Sequence, residues 1–182
     1  PGLIDLHTHA GGNVFFQDDP ITASEALLDH GVTGVLPALY MTLSKHAYFE
    51  ALDKIDEARE TGRCHNILGY YMEGPYLNPR YGCNRDDYAW GDDIDRNDYI
   101  DLVERVRNSA KVWALAPERA GIELFAQEVR RRIPDIVFSV AHSEATPTQI
   151  AALMPYGLRL ATHHTNATGT LNRYPECRGV CV

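Results

Sequence analysis

Short apolar runs alternate with helix-like segments along the whole chain, and this alternation constrains the fold more than any other feature of the sequence. The apolar runs lie at residues 3–7, 33–39, 67–73, 112–116, 136–142 and 158–163. Between them, apolar residues recur three and four positions apart, which is typical of amphipathic helices. A strand followed by a helix, repeated about six times, predicts a parallel β-sheet covered by helices.

Capping residues predict where several of these helices begin. Thr22 and Thr146 each stand three residues before a Glu or Gln, the pattern of a capping box, and Ser44 predicts the start of a longer helix. Further helices are expected at residues 98–106 and 122–132 from their apolar spacing. Every predicted strand is therefore separated from the next by at least one segment able to form the helical crossover of a parallel sheet.

Two architectures accommodate this order of elements: an open doubly wound sheet and a (β/α)₈ barrel. An open sheet usually carries a Gly-rich phosphate loop after its first strand, and the pair Gly11-Gly12 is too short for one. The barrel is favoured because the polar residues fall at strand ends, where barrel enzymes carry their catalytic groups. A complete barrel typically needs about 250 residues. We therefore expect residues 1–182 to form one α/β domain, a (β/α)₈ TIM-barrel type with about six strand–helix units.

Histidine or glutamate residues follow four of the predicted strands at their C-terminal ends: His7 and His9, Glu73, His142, and His163. An H-x-H pair on a strand places both imidazoles on one face, because side chains alternate with a period of two. Neutral imidazoles and a carboxylate are suitable ligands for Zn²⁺ or Fe²⁺. The sequence therefore predicts a divalent-metal site at these strand ends, with Zn²⁺ as the first choice and Fe²⁺ as an alternative.

Charge and cysteine usage restrict the partners and the compartment. The chain has 17 basic and 25 acidic residues and a net charge of -8, which disfavours nucleic acid and anionic membrane surfaces as partners. It contains no apolar run of the roughly 20 residues needed to span a bilayer. The four cysteines lack redox or zinc-finger spacing and are interpreted as reduced thiols in a cytoplasmic protein: Cys64, Cys83, Cys177 and Cys181.

Five segments together resemble the signature segments of the N-acetylglucosamine-6-phosphate deacetylases of the amidohydrolase superfamily. Their order and spacing match along the whole chain, and the second, fourth and fifth are the most specific: PGLIDLHTH (1–9), EGPYLNP (73–79), LAPE (115–118), HSEAT (142–146) and THHTNA (162–167). The resemblance implies hydrolysis of the acetamide of N-acetylglucosamine-6-phosphate or a related N-acetyl amino-sugar phosphate, by an enzyme that is a homodimer when complete.

The resemblance also assigns roles to individual residues. It implies that Glu73, His142 and His163 bind a principal metal, and that His7 and His9 bind a second one with Glu73 bridging, so that one or two ions are expected. In the same way, Asn166 and Ala167 resemble the loop whose backbone amides hold the sugar phosphate, and Asn84 lies near the sugar.

Departures from the family pattern leave alternatives open. Asn84 stands where the family's loop carries a histidine, and neither Arg173 nor Arg178 is singled out as a phosphate ligand. The family's last barrel strands, its small β-sandwich and the strand-eight aspartate that acts as general acid/base are expected to be absent. The chain is then a fragment, a split enzyme or a decayed copy. The alternative functions are another amidohydrolase reaction, on an N-acyl amino acid or a cyclic amide, and a non-catalytic metal-binding fragment.

Overall fold

The computed structural model describes residues 1–81, 89–90 and 93–163, and everything below concerns those residues. In chain order the elements are β1 (Leu3–Thr8), β2 (Ala10–Gly11), β3 (Val14–Phe15), α1 (Pro20–Asp29), β4 (Val32–Leu39), α2 (Lys45–Glu60), β5 (Tyr70–Glu73), α3 (Arg96–Val106), β6 (Ala110–Leu115), α4 (Ile122–Arg132), β7 (Val137–Val140), α5 (Pro147–Leu153), a 3₁₀ helix (Met154–Tyr156) and β8 (Leu158–Ala161).

Six of the strands form one sheet in the order β1-β4-β5-β6-β7-β8, and every neighbouring pair in it is parallel. Each strand of this sheet therefore pairs with the strand that follows it along the chain within the same sheet, and every crossover between them contains a helix. The sheet curls into about half of a barrel. This confirms the prediction of an incomplete (β/α)₈ barrel. Its consequence is that the C-terminal ends of all six strands lie along the same rim.

The predicted helix boundaries are confirmed in three places, but two helices begin earlier than predicted. α4 has the predicted bounds, Ser44 caps α2, and Thr146 forms the predicted capping box with Gln149 at the start of α5. The first helix begins earlier than predicted, because Asp19 is its N-cap and accepts a hydrogen bond from the backbone N–H of Thr22 at 3.1 Å. Thr22 is thus a residue of the first turn and not the cap. The other is α3, which was expected from residue 98 and begins at Arg96 with Asp95 as its N-cap.

A short antiparallel hairpin, β2 with β3, follows β1 and was not predicted from the sequence. It brings Gly11 against the first helix: a Cβ atom at this position would lie 1.9 Å from the carbonyl oxygen of Ala23. Only glycine permits this approach. The hairpin therefore turns the chain back toward α1 directly after the H-x-H pair.

Two apolar layers lie on opposite faces of the sheet. The larger layer packs the sheet against the helices and includes Trp113 and Phe125, whose ring centroids are 5.5 Å apart. The smaller layer lines the face around which the sheet curls and includes Tyr71, Val112 and Ala114. Alternation along β5 places the Glu73 side chain on the same face as Tyr71, at the rim of the half-barrel. Within the described part of the chain, no helix is long and apolar enough to cross a membrane.

Candidate metal centre

All five residues predicted as metal ligands lie together at the rim where the strands end. Glu73 is the last residue of β5 and is only 1% exposed, while His7 lies in β1 and His9 directly follows that strand. His142 and His163 each stand two residues beyond the end of their strands, β7 and β8. Parallel strands deliver their C-terminal ends to one edge, and this is why residues up to 156 positions apart in the chain meet here.

Four imidazole rings surround the carboxylate of Glu73. The Nε2 atoms of His163, His142 and His7 lie 2.9, 3.1 and 3.7 Å from Oε1. Nε2 of His9 lies 3.2 Å from Oε2. Ligands that share one tetrahedral zinc ion are separated by about 3.4 Å, given Zn–N and Zn–O bonds near 2.1 Å. The spacing of these five side chains is therefore that of groups converging on a small cation.

The backbone is strained at two of the ligand positions. His142 has φ of +43° and His163 has φ of +54°, a region that residues other than glycine rarely adopt. Such conformations persist only where the surrounding structure holds them, and they cluster at functional sites. Here the turn redirects each ring from the end of its strand toward Glu73.

Backbone carbonyls fix the orientation of two of the rings. Nδ1 of His9 lies 2.9 Å from the oxygen of Ala38, and Nδ1 of His142 lies 3.0 Å from the oxygen of Tyr81. A carbonyl only accepts hydrogen bonds, so each Nδ1 carries the proton. In the neutral rings the lone pair of Nε2 then faces the carboxylate of Glu73. Two acceptors at this distance need a positive charge between them, either a proton or a metal ion.

Unpaired polar atoms give an independent test of whether a metal fits. In the described residues, the buried side-chain atoms without a hydrogen-bond partner are Nδ1 and Nε2 of His7, Oε2 of Glu73 and Nε1 of Trp113. Three of these four atoms belong to the site, and buried polar atoms are normally paired. The ligand atoms of His7, Glu73 and His163 also lie within 4.8 Å of one another. The donor set and its unpaired atoms therefore fit a divalent ion.

Burial and charge leave His7 and Glu73 in the protonation states that bind metals. Burial lowers the pKa of His7 from 6.5 to about 4, although the negative charge of Glu73 acts in the opposite direction. Burial of Glu73 opposes its ionisation, but in the metal-free protein hydrogen bonds that place a proton between its carboxylate and the Nε2 atoms of His142 and His163 outweigh burial and hold the pKa of the carboxyl well below its usual range. At neutral pH, His7 is neutral and Glu73 is ionised, as metal binding requires.

A hydrogen-bonded group beneath the site was not found from the sequence. The hydroxyls of Tyr71 and Thr162 are 2.6 Å apart, and Ser139 lies 2.8 Å from Thr162. The ring of Tyr71 meets that of His7 edge-on with centroids 4.4 Å apart. The side chain of Asp5 accepts a hydrogen bond from the backbone N–H of His7 at 2.9 Å.

Three of the site residues implied by the family resemblance lie outside the described residues. These are Asn84, Asn166 and Ala167, so their assignment to substrate binding stays a prediction. Cys83, Cys177 and Cys181 also lie outside the described residues, whereas Cys64 is a buried free thiol.

Comparisons with known proteins were made for the sequence and for the fold. No family model matches the chain. Among curated proteins, an N-acetylgalactosamine-6-phosphate deacetylase of Escherichia coli is 29% identical over 98% of the chain and 48% of its own length. An N-acetylglucosamine-6-phosphate deacetylase of Haemophilus influenzae is 25% identical over 94% of the chain and 44% of its own length. The chain thus spans about half the length of these relatives.

Solved structures with the same fold are also named N-acetylglucosamine-6-phosphate deacetylases. N-acetylglucosamine-6-phosphate deacetylase of Thermotoga maritima matches 94% of the chain with a TM-score of 0.77 and 26% identity. A variant of the Mycobacterium smegmatis enzyme, solved in complex with N-acetyl-D-glucosamine-6-phosphate, matches 92% with a TM-score of 0.77 and 27% identity. The resemblance to the N-acetylglucosamine-6-phosphate deacetylases is confirmed. The chain covers 45% and 43% of these two deacetylase chains, in keeping with its half-barrel.

Proposed function

We propose that this chain supplies the metal-binding half of a deacetylase that hydrolyses an N-acetylated amino-sugar 6-phosphate. The observation that carries the proposal is the convergence of four histidines on the buried carboxylate of Glu73, in a fold shared with deacetylases of this class. N-acetylglucosamine-6-phosphate is the first candidate substrate. Its galactosamine epimer is the second, because the E. coli relative is named for that sugar. We further propose a cytoplasmic enzyme that is a homodimer when complete.

The proposed ion is Zn²⁺, with Fe²⁺ as the alternative, bound by Glu73 and by some or all of the four histidines. When bound, such an ion lowers the pKa of a water molecule and polarises an amide carbonyl. The protein contributes a fixed arrangement of donors: Ala38 and Tyr81 hold the rings of His9 and His142 through their carbonyl oxygens. Preorganised donors of this kind require little rearrangement during the reaction.

The charge of the site suits a ligand with a polarised carbonyl. Glu73 supplies one negative charge, and imidazoles bind metal ions as neutral donors, so a divalent ion held by these residues would leave the centre with a net positive charge. That charge would stabilise the negative charge that develops on the carbonyl oxygen of an acetamide during hydrolysis. By the family resemblance, the proton for the leaving amine comes from an aspartate on a later strand. Turnover is therefore proposed for a protein that also supplies that residue.

The metal content of the purified, unsupplemented 182-residue chain tests the first part of the proposal. We expect roughly one to two equivalents of divalent metal in the wild type and at least about a hundredfold weaker Zn²⁺ binding in Glu73→Gln, because the variant loses its only anionic ligand. Glu123→Gln removes an exposed carboxylate on α4 and is the matched control. Absence of bound metal in the wild type, even after incubation with Zn²⁺, would refute the metal centre.

A substrate panel on the complete protein tests the second part. We expect acetate release from N-acetylglucosamine-6-phosphate or N-acetylgalactosamine-6-phosphate, and at least about tenfold lower kcat/KM for the unphosphorylated sugars, since the lost phosphate contacts are worth more than about 1.4 kcal/mol. Preference for an N-acyl amino acid or a cyclic amide would instead favour another hydrolase reaction of the same centre.

A further inference from the structure

The carboxylate of Glu118 connects the ends of three neighbouring strands. Glu118 is half-buried and lies three residues beyond β6. Its Oε1 accepts hydrogen bonds from the side-chain amide of Asn78 at 2.8 Å and from the backbone N–H of Glu144 at 2.8 Å. Its Oε2 accepts a third hydrogen bond from the hydroxyl of Ser143 at 2.6 Å. Hydrogen bonds to an ionised acceptor are roughly twice as strong as neutral ones.

The two loops held by Glu118 are those that carry metal-site residues. Asn78 lies five residues after Glu73, and Ser143 directly follows His142. The loops also bond to each other, because the backbone N–H of Asn78 donates to the carbonyl of His142 at 3.0 Å. Glu118 therefore completes a hydrogen-bonded circuit through the segments after β5, β6 and β7.

This circuit acts at the point where the backbone is strained. The positive φ of His142 is an unfavourable conformation that the neighbouring structure has to maintain. Ser143 is bonded on both sides, since its hydroxyl donates to Glu118 and accepts from the N–H of Ala145 at 3.0 Å. The anchor of the turn is thus one residue from the ring that faces Glu73.

We propose that Glu118 is a positioning residue for the metal centre, acting through Ser143 and Asn78 to hold His142 and Glu73 in ligand geometry. This rests on the proposed function, because it assigns Glu118 a part in metal affinity. Glu118 acts only through these two loops and is not itself a ligand. Groups that orient metal ligands in this way typically change affinity by about 10–100-fold when removed.

Two substitutions of Glu118 separate position from charge. Glu118→Ala removes all three hydrogen bonds, and we expect its dissociation constant for Zn²⁺ to rise about 10–100-fold. Glu118→Gln keeps an oxygen that can accept from Asn78 and Glu144, and its amide N–H can donate to Ser143. We therefore expect its dissociation constant for Zn²⁺ to lie within about threefold of the wild-type value, a difference in binding free energy of less than about 1 kcal/mol. Glu25→Ala, which removes an exposed carboxylate on α1 that pairs with Arg63 beyond the C-terminal end of α2, is the matched control.

Amide hydrogen exchange of the metal-free proteins provides a readout that needs no ion. We expect faster exchange of residues 141–146 in Glu118→Ala and unchanged exchange in Glu118→Gln and in the control, because these amides lie in the loop that the carboxylate holds. If Glu118→Ala does not fold, Ser143→Ala takes its place, since it removes one of the three bonds beside His142 and is expected to act in the same direction.

Three results would overturn the proposal: wild-type Zn²⁺ affinity in Glu118→Ala, unchanged exchange of residues 141–146 in that variant, or failure of Glu118→Gln to recover affinity. The last would mean that the charge of Glu118, and not its hydrogen-bonded position, sustains binding. A wild-type chain that binds no Zn²⁺ would instead refute the proposed function. In that case the exchange comparison still decides whether Glu118 holds the loop.

Discussion

Neutral, buried His7 should make the metal-free protein sensitive to acid. Burial lowers the pKa of His7 from 6.5 to about 4. As the pH falls below 6.5, the unfolded chain takes up a proton on this ring, whereas the native state does not until about pH 4. The unfolded state then binds more protons, so the free energy of unfolding decreases as the pH falls through this window. Above about pH 6.5 the ring is neutral in both the folded and the unfolded chain, so no free energy of unfolding is lost to its protonation there.

The size of the effect follows from the two pKa values. The full interval corresponds to about 3 kcal/mol, at 1.36 kcal/mol for each pH unit of pKa difference. Between about pH 7.5 and pH 5, His7 should account for about 2 kcal/mol of lost stability. Glu73 acts in the same direction, because its lowered pKa gives stability that is present above the ordinary carboxyl pKa of 4.5 and is lost below it. Measurements kept above pH 4.5 therefore report mainly on His7.

Urea denaturation of the chelator-treated chain measures this directly. The free energy of unfolding is determined at several pH values for the wild type, for His7→Asn and for His46→Asn, an exposed histidine on α2 that is the matched control. The wild type minus His7→Asn difference should change by about 2 kcal/mol across the range, and the control should follow the wild type. Parallel profiles for the wild type and His7→Asn would show that His7 is not held neutral, and the reasoning from burial would be wrong.

Two further substitutions test the packing around the site. Thr146→Ala removes the capping box with Gln149 and should lower the free energy of unfolding by about 1 kcal/mol in urea denaturation; an unchanged midpoint would show that α5 does not depend on this cap. Tyr71→Phe keeps the ring beside His7 but removes the hydroxyl near Thr162, and should cost about 0.5–1.5 kcal/mol. A Tyr71→Phe variant as stable as the wild type would mean that Ser139 alone satisfies Thr162.

The sequence by itself determined the order of the elements and the residues of the site. Alternating apolar and amphipathic segments predicted the parallel half-barrel, and α4 was predicted to the residue. The five ligand candidates were predicted from their place at strand ends, and the structure brings them together, although their metal-binding role stays a proposal. These features depend on periodicity and on alternation within a strand, which are properties of a few consecutive residues.

Local signals also account for what was wrong or missed near α1. Asp19-Pro20 is a cap followed by proline at the first helical position, a signal that is present in the sequence but that the prediction from Thr22 and Glu25 did not use. The β2–β3 hairpin is formed by strands of two residues each, too short for a period to show.

Only the tertiary structure decided how the ligands are held. The carbonyls of Ala38 and Tyr81 fix the rings of His9 and His142 across 29 and 61 positions of the chain, and Glu118 reaches Asn78 across 40. No short stretch of sequence encodes such pairs, because they exist only once the curled sheet has brought its strand ends together. The residue types set which chemistry the rim can perform. The curl of the sheet, and the strained turns after β7 and β8, set the direction in which those residues point.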